Sequence, residues 1–314
     1  MTRRIRQCAS ALAAVWAIGL VPLAAGQTQE ELAANPKLFL ATLNKEMKWE
    51  VPAGPTKVVG PIYFVGTMGL SSWLITTPRG HVLLNTGMPS SGPMIADSIR
   101  QLGFSPEEIR IIIFSHAHVD HVGAVAFMKK LSGASVLAME QEAELLQSGG
   151  ALDFQYGQEP DFRFEPVKAN RLLHDGDRLT IGDLVLTPRL TPGHTKGTTT
   201  WTTRVMDGGK GYNVVFPDGT SVNPGYRLTV KPSYPDIEGD YWKTFGVLES
   251  IKPDIWLSPH TQKFGFEAKR ARAATQGPDA WVDPEGYRKY VAEARQKFEA
   301  QLKAERAAAA PSKR

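Results

Sequence analysis

Ile111-Ile112-Ile113-Phe114-Ser115-His116-Ala117-His118-Val119-Asp120-His121 begins as a continuous apolar run and ends as a loop crowded with imidazole and carboxylate groups. The apolar part predicts a strand over Arg110 to Phe114, covered on both faces. From Val122 to Leu131 the apolar positions fall at helical spacing. Strand, polar loop and helix in that order place the loop at the carboxyl edge of an α/β sheet, where ligand sites of such sheets collect.

Of the seven histidines, five lie in three polar stretches that each follow an apolar run: His116 to His121, Thr191-Pro192-Gly193-His194-Thr195 and Leu257-Ser258-Pro259-His260-Thr261. Zinc takes imidazole nitrogen and carboxylate oxygen at about 2.0 to 2.2 Å, and a catalytic zinc keeps a position open for water beside three protein ligands. Alternate residues of an extended loop project to one side, so His116 and His118 can grip one ion. Asp120 and His121 leave the following turn toward the helix start and can reach a second ion. His194 and His260 then arrive from other edges to complete three ligands at each. A lone histidine is more simply read as a cap or a surface group, and His81 and His174, which lack such company, are read as structural or surface residues. Three histidines and an aspartate within six residues are not.

Outward from this loop the chain alternates short strands with helices. A helix is expected at Glu30 to Ala41 and a Pro/Gly-rich connector from Pro52 to Pro55. Strands follow at Lys57 to Tyr63, Ser72 to Thr77 and His81 to Thr86, the last two joined as a hairpin through Pro78-Arg79-Gly80. Met94, Ile95, Ile99 and Leu102 mark a helix over Pro93 to Leu102. The second half adds strands at Arg178 to Ile181, Leu184 to Leu190, Thr198 to Arg204 and Gly211 to Phe216, and a helix at Ile237 to Ser250. A final helix runs from Pro284 to Lys303, capped by Asp283 and carrying Tyr287, Tyr290, Val291, Ala294, Phe298 and Leu302 as a packing stripe.

With 314 residues, 42% hydrophobic and 22% charged, the chain can bury a large core. Residues 1–26 read as a signal peptide. Arg3, Arg4 and Arg6 form its positive start, Ala11 to Ala25 its apolar stretch, and Ala24 and Gly26 are the small residues before a cut ahead of Gln27. The Arg3-Arg4 pair also permits a twin-arginine route. A periplasmic or secreted protein is therefore expected, with one domain over 27–306 and a disordered tail over 307–314. Removing the signal turns 36 Lys plus Arg against 32 Asp plus Glu into 33 against 32, so net charge implies no nucleic-acid or membrane partner. The single cysteine, Cys8, leaves with the signal. The mature chain then has neither thiol nor disulfide, and its stability rests on packing or on metal.

The segment His116 to His121 resembles the HxHxDH motif of the metallo-β-lactamase superfamily. Gly60 to Thr67, Leu74 to Gly80, Leu102-Gly103-Phe104, Leu173 to Gly176, Leu190 to Trp201 and Asn223-Pro224-Gly225-Tyr226 look like the third subclass of true metallo-β-lactamases, a likeness running from about Gly60 to Tyr287. That subclass ligates zinc with histidine and aspartate only, whereas the other two use a cysteine that the mature chain lacks. The resemblance implies an α/β four-layered αβ/βα sandwich with two Zn2+ per chain. It gives His116, His118 and His194 to the first zinc and Asp120, His121 and His260 to the second, with Asp120 also catalytic. It further implies a hydroxide shared by the metals that opens the β-lactam ring of penicillins, cephalosporins and carbapenems, with Thr220 and Ser221 contacting the substrate carboxylate. No side-chain nucleophile is needed. The partner expected is a small-molecule substrate, and the state a monomer.

Two positions depart from the wider pattern. Asn85 stands where many members carry aspartate; its amide can still accept a hydrogen bond from a liganding histidine, without bringing charge. Asp218 reads as a loop residue before Gly219, with a metal-bridging aspartate as the alternative. A lactonase, thioesterase or other hydrolase of the same fold is the rival reading. A zinc-storing protein is disfavoured, because structural zinc sites are closed and cysteine-rich.

Overall fold

The computed structural model describes residues 28–310. The expected signal peptide lies outside the described residues, as does 311–314 of the expected tail. The first half runs α1 (Gln29–Ala34), α2 (Pro36–Glu46), β1 (Thr56–Val59), β2 (Ile62–Phe64), β3 (Trp73–Ile75), β4 (His81–Leu84), α3 (Ser91–Gln101), β5 (Ile109–Ile113), α4 (Val119–Val122), α5 (Val125–Ser132), β6 (Ser135–Met139), α6 (Ala143–Gln147) and β7 (Arg171–Leu173). The second half runs β8 (Leu179–Ile181), β9 (Leu184–Leu190), β10 (Thr199–Asp207), β11 (Lys210–Phe216), α7 (Ile237–Ser250), β12 (Ile255–Trp256), α8 (Phe266–Gln276) and α9 (Pro284–Ala309).

Strands β1 to β7 form one sheet in chain order, antiparallel through β4 and parallel from there to β7. The other sheet has the order β12-β11-β10-β9-β8, and only β11 and β12 pair in parallel. The sheets share one core: the rings of Trp73 on β3 and Phe216 on β11 lie 5.8 Å apart, and the Trp201 indole on β10 donates to the Phe114 carbonyl just after β5 at 3.0 Å. Helix α5 packs on β5 of the first sheet with α3 beside it, while α9 packs on β12 of the second with α7 beside it. The arrangement is the expected αβ/βα sandwich. The α9 stripe is buried at Tyr287, Val291, Ala294, Phe298 and Leu302, with the Asp283 carboxylate accepting from the Gly286 amide as its cap. Among the described residues no helix is long and apolar enough to cross a membrane.

Several boundaries differ from the sequence reading, each for a local reason. Asn35 ends α1 and its side chain caps α2 at Pro36, which splits the helix expected over Glu30 to Ala41. The strand expected over Lys57 to Tyr63 turns at Gly60, whose φ of 51° and approach to the Met206 carbonyl leave no place for a side chain. After β5 the helix is broken between α4 and α5, where Gly123 packs on Pro89. The last helix does not stop before a disordered tail at Ala307 but continues to Ala309. Alanine-rich sequence propagates a helix already nucleated by packing, and Ala307 to Ala309 of the expected tail lie in it.

Candidate metal centre

The apolar strand β5, with Ile112 and Ile113 fully buried, delivers Ser115 to His118 to the carboxyl edge of its sheet, and α4 carries Asp120 and His121 back over that edge. His194 comes from the loop between β9 and β10, and His260 from the loop after β12. The six residues meet. Ring centroids are separated by 3.8 Å for His116 and His121, 4.6 Å for His116 and His118, 4.6 Å for His116 and His194, and 4.8 Å for His118 and His194. Ligand atoms of His116, His118 and His194 all lie within 4.8 Å of one another, as do those of His116, Asp120 and His121. His260 flanks the second group, its Nε2 3.8 Å from Asp120 Oδ2 and its ring 5.3 Å from that of His121.

Each of four imidazoles spends one nitrogen on an outer partner. His116 Nδ1 lies 2.8 Å from Asp218 Oδ2, His118 Nε2 3.0 Å from Asp153 Oδ2, and His194 Nδ1 2.8 Å from the Ser221 carbonyl. His121 Nδ1 lies 3.0 Å from Ser115 Oγ, which in turn reaches Asn85 Oδ1 at 3.4 Å. Such partners fix the tautomer, so that the other nitrogen presents a lone pair to the centre. His116 Nε2 is buried with no hydrogen-bond partner. His121 Nε2 is likewise buried without hydrogen-bond geometry, 3.3 Å from Asp120 Oδ2. An orphaned buried nitrogen is costly unless something binds it. A divalent cation is the group that this donor set fits.

Protonation follows the same design. Burial, joined by the charge of His121, holds His116 well below the ordinary imidazole value despite Asp218. Burial also lowers His194 to about 4 and His260 to about 3. For His118 burial is outweighed by the hydrogen bond and charge of Asp153, which raise it. Burial opposes ionisation of Asp120 and Asp218, yet His121 and His260 around the first, and His116 beside the second, keep both below the usual carboxylate range. Neutral imidazoles and ionised carboxylates are the forms that ligate metal.

The structure revises three finer expectations. Asp218 is neither a free loop residue nor a member of either close ligand group; it is buried behind His116. Asn85 accepts from Ser115 N at 2.9 Å and from Ser115 Oγ, and so acts on His121 through a serine rather than by direct contact. Thr220 and Ser221 both line the cleft, but the Thr220 hydroxyl is paired with Tyr290 OH at 2.8 Å. The Ser221 hydroxyl accepts from Lys263 Nζ at 3.1 Å. His81 and His174 stay apart from the centre, His81 edge-on to Phe104 and His174 exposed beside Glu140.

Residues the sequence reading passed over complete the surroundings. Asp153 backs His118, and Glu142 bridges the two histidine loops by accepting from Ala117 N, Thr195 Oγ1 and Gly197 N at 2.6, 2.8 and 2.9 Å. Burial pushes the Glu142 pKa up to about 7 against those donors. Both acids lie outside any local motif, so no spacing could have revealed them. The metal-side groups open into a cavity of about 1010 Å³ whose walls include Phe39, Leu43 and Trp49 from the amino-terminal side, Phe162, and Phe298 of α9.

Residues 65–260 match the sequence profile of the family described as "Metallo-beta-lactamase superfamily". Among solved structures the chain is similar to BJP-1, a subclass B3 metallo-β-lactamase of Bradyrhizobium japonicum, at 36% identity and a TM-score of 0.79, covering 84% of this chain and 98% of that one. It is equally similar to native FEZ-1 metallo-β-lactamase of Legionella gormanii, at 38% identity and a TM-score of 0.80, covering 82% and 98% of the two chains. A curated relative, an N-acyl homoserine lactonase of Agrobacterium fabrum, is 26% identical over 74% of this chain and 81% of its own length.

Proposed function

Since the chain belongs to the metallo-β-lactamase superfamily and within it to subclass B3, we propose that it is a zinc-dependent hydrolase that opens the β-lactam ring of penicillins, cephalosporins and carbapenems. The observation that carries this reading is the pair of buried, thiol-free ligand groups meeting at one end of an apolar cavity. In this reading His116, His118 and His194 hold one Zn2+, and Asp120, His121 and His260 hold a second. When bound, zinc supplies a lowered pKa for water and a Lewis acid for the lactam carbonyl.

The chain's own residues do the rest. Asp218, Asp153, Ser115 and the Ser221 carbonyl orient the imidazoles before substrate arrives. Asp120, kept ionised, can accept a hydrogen bond from the attacking water at a carboxylate oxygen and so orient it. The apolar walls exclude competing water and receive the substrate's side chain. The hydroxyls of Ser221 and Thr220 contact the substrate carboxylate, Ser221 being the more available. The reading further includes export through the 1–26 signal to the periplasm or medium, a 27–306 catalytic domain and action as a monomer.

The test is a hydrolysis panel of a penicillin, a cephalosporin, a carbapenem and a homoserine lactone, each with zinc and after exhaustive chelation, alongside metal analysis. Two zinc ions per chain and chelator-sensitive lactam opening are expected. Rapid lactone opening with no lactam turnover would transfer the protein to the lactonase reading.

A further inference from the structure

A β-lactam antibiotic carries an anionic carboxylate beside its ring, and an anion entering a largely apolar cleft needs a cation or several donors to replace water. The hydroxyls of Ser221 and Thr220 supply no charge. Three basic residues line the cavity: Arg227, Lys263 and Lys297. Arg227 spends its Nε on the Lys231 carbonyl at 2.7 Å within its own exposed loop. Lys297 sits on α9, whereas Lys263 lies three residues after His260 and its Nζ is 3.1 Å from the Oγ of Ser221, the residue whose carbonyl meets His194 Nδ1.

The position of Lys263 follows from its backbone. Lys263 lies in the short 3-10 turn Thr261–Phe264 that directly follows His260, and its amide donates to the His260 carbonyl at 3.1 Å. The turn is held firmly. Thr261 bonds through its hydroxyl to the Met68 carbonyl, and Phe264 is buried against Trp73 and Trp256. Lys263 is half-buried and donates to Ser221 Oγ at 3.1 Å, which leaves the serine O–H free to point onward while two further ammonium protons remain for a ligand.

We propose that Lys263 is the charged anchor for the substrate's carboxylate, acting together with the Ser221 hydroxyl as a paired donor beside the metal centre. This rests on the lactamase reading for the identity of the substrate, but the anchor itself is a claim about any carboxylate bound next to the metals. It makes Lys263 a specificity-determining residue, and its contribution is uniform binding, felt in KM rather than kcat.

The experiment compares the zinc-loaded wild type with Lys263→Met and Lys263→Arg, using benzylpenicillin and its methyl ester. The Met variant should raise KM for the acid by about tenfold to a hundredfold with kcat within about threefold, and Arg should restore most of the loss. The ester's KM should not move. Calorimetric binding of 2-mercapto-3-phenylpropanoate and of its methyl ester provides a readout independent of turnover, and the same acid-selective loss is expected there. Equal losses for acid and ester, no loss for either, or a fall in zinc content that tracks the loss would overturn the anchor and leave Lys263 a structural donor to Ser221. A wild type that opens neither penicillin yet binds the mercapto acid more tightly than its ester through Lys263 would remove the lactamase reading and retain the anchor.

Discussion

A carboxylate placed behind an imidazole aligns the ring and raises its basicity, and Asp218 does this for His116 from a buried position. Asp218→Asn keeps a hydrogen-bond acceptor but loses the charge. Zinc affinity should fall about tenfold to a hundredfold in chelator competition, while lactam turnover at saturating zinc survives. Loss of both metals from this variant would instead make Asp218 a direct bridge. Asp120 belongs to the other ligand group, near both His121 and His260. Asp120→Ala should retain one zinc at His116, His118 and His194 and still lose most turnover, because both a ligand and the group that orients the attacking water are gone. An active Asp120→Ala protein with two filled sites would refute the assignment. The six inner residues were legible because apolar strands end in them, whereas the pairing of each imidazole with its outer partner was not. Asp153 is 35 residues from His118 and Asp218 is 102 from His116, distances that only the fold closes.

At the scale of elements, the centre is a meeting of loops, and loops need braces. Glu142 lies in the short turn between β6 and α6 and ties the loop after β5 to the loop before β10 through Ala117, Thr195 and Gly197. All three partners donate, so Glu142→Gln must set an amide NH2 against at least one of them. A loss of about 1–3 kcal/mol in urea unfolding is expected. An unchanged midpoint would show that the brace contributes nothing. Elements with a strong pattern were readable: β9, β10, β11 and α7 fall close to where alternation and helical spacing set them. The segments that went unread lacked such a signal. Helix α8 buries only Phe266 and Lys269 and so has no apolar stripe, and β12 is two residues long. Neither can be seen until the neighbouring sheet is in place.

For the molecule as a whole, the buried imidazoles couple folding to acidity and to metal. In the metal-free fold His194 titrates at about 4 and His260 at about 3, both lowered first by burial, and His116 is lowered in the same direction. An unfolded histidine titrates near 6.5. Between these values the unfolded chain binds more protons than the folded one, so stability rises with pH. The contribution is complete above about 6.5 and is lost as pH falls toward the folded values. His118 opposes this, since its raised pKa stabilises the fold at low pH and that gain is lost as pH rises through its folded value; it is one group against three. Ionised Asp120 and Asp218 reinforce the majority below the ordinary carboxylate range. Zinc bound only to the folded state adds RT ln(1 + [Zn]/Kd), about 2.7 kcal/mol at a hundred times Kd, and protons compete for the same nitrogens. Metal-free protein should therefore lose urea resistance steadily from pH 6.5 to 4.5. The zinc-loaded protein should start higher and lose more, so that the gap between the two narrows with acid. A metal-free stability that is flat across that window would mean that the imidazoles are not held neutral by burial, and a gap that does not narrow would mean that zinc is bound elsewhere than on these histidines.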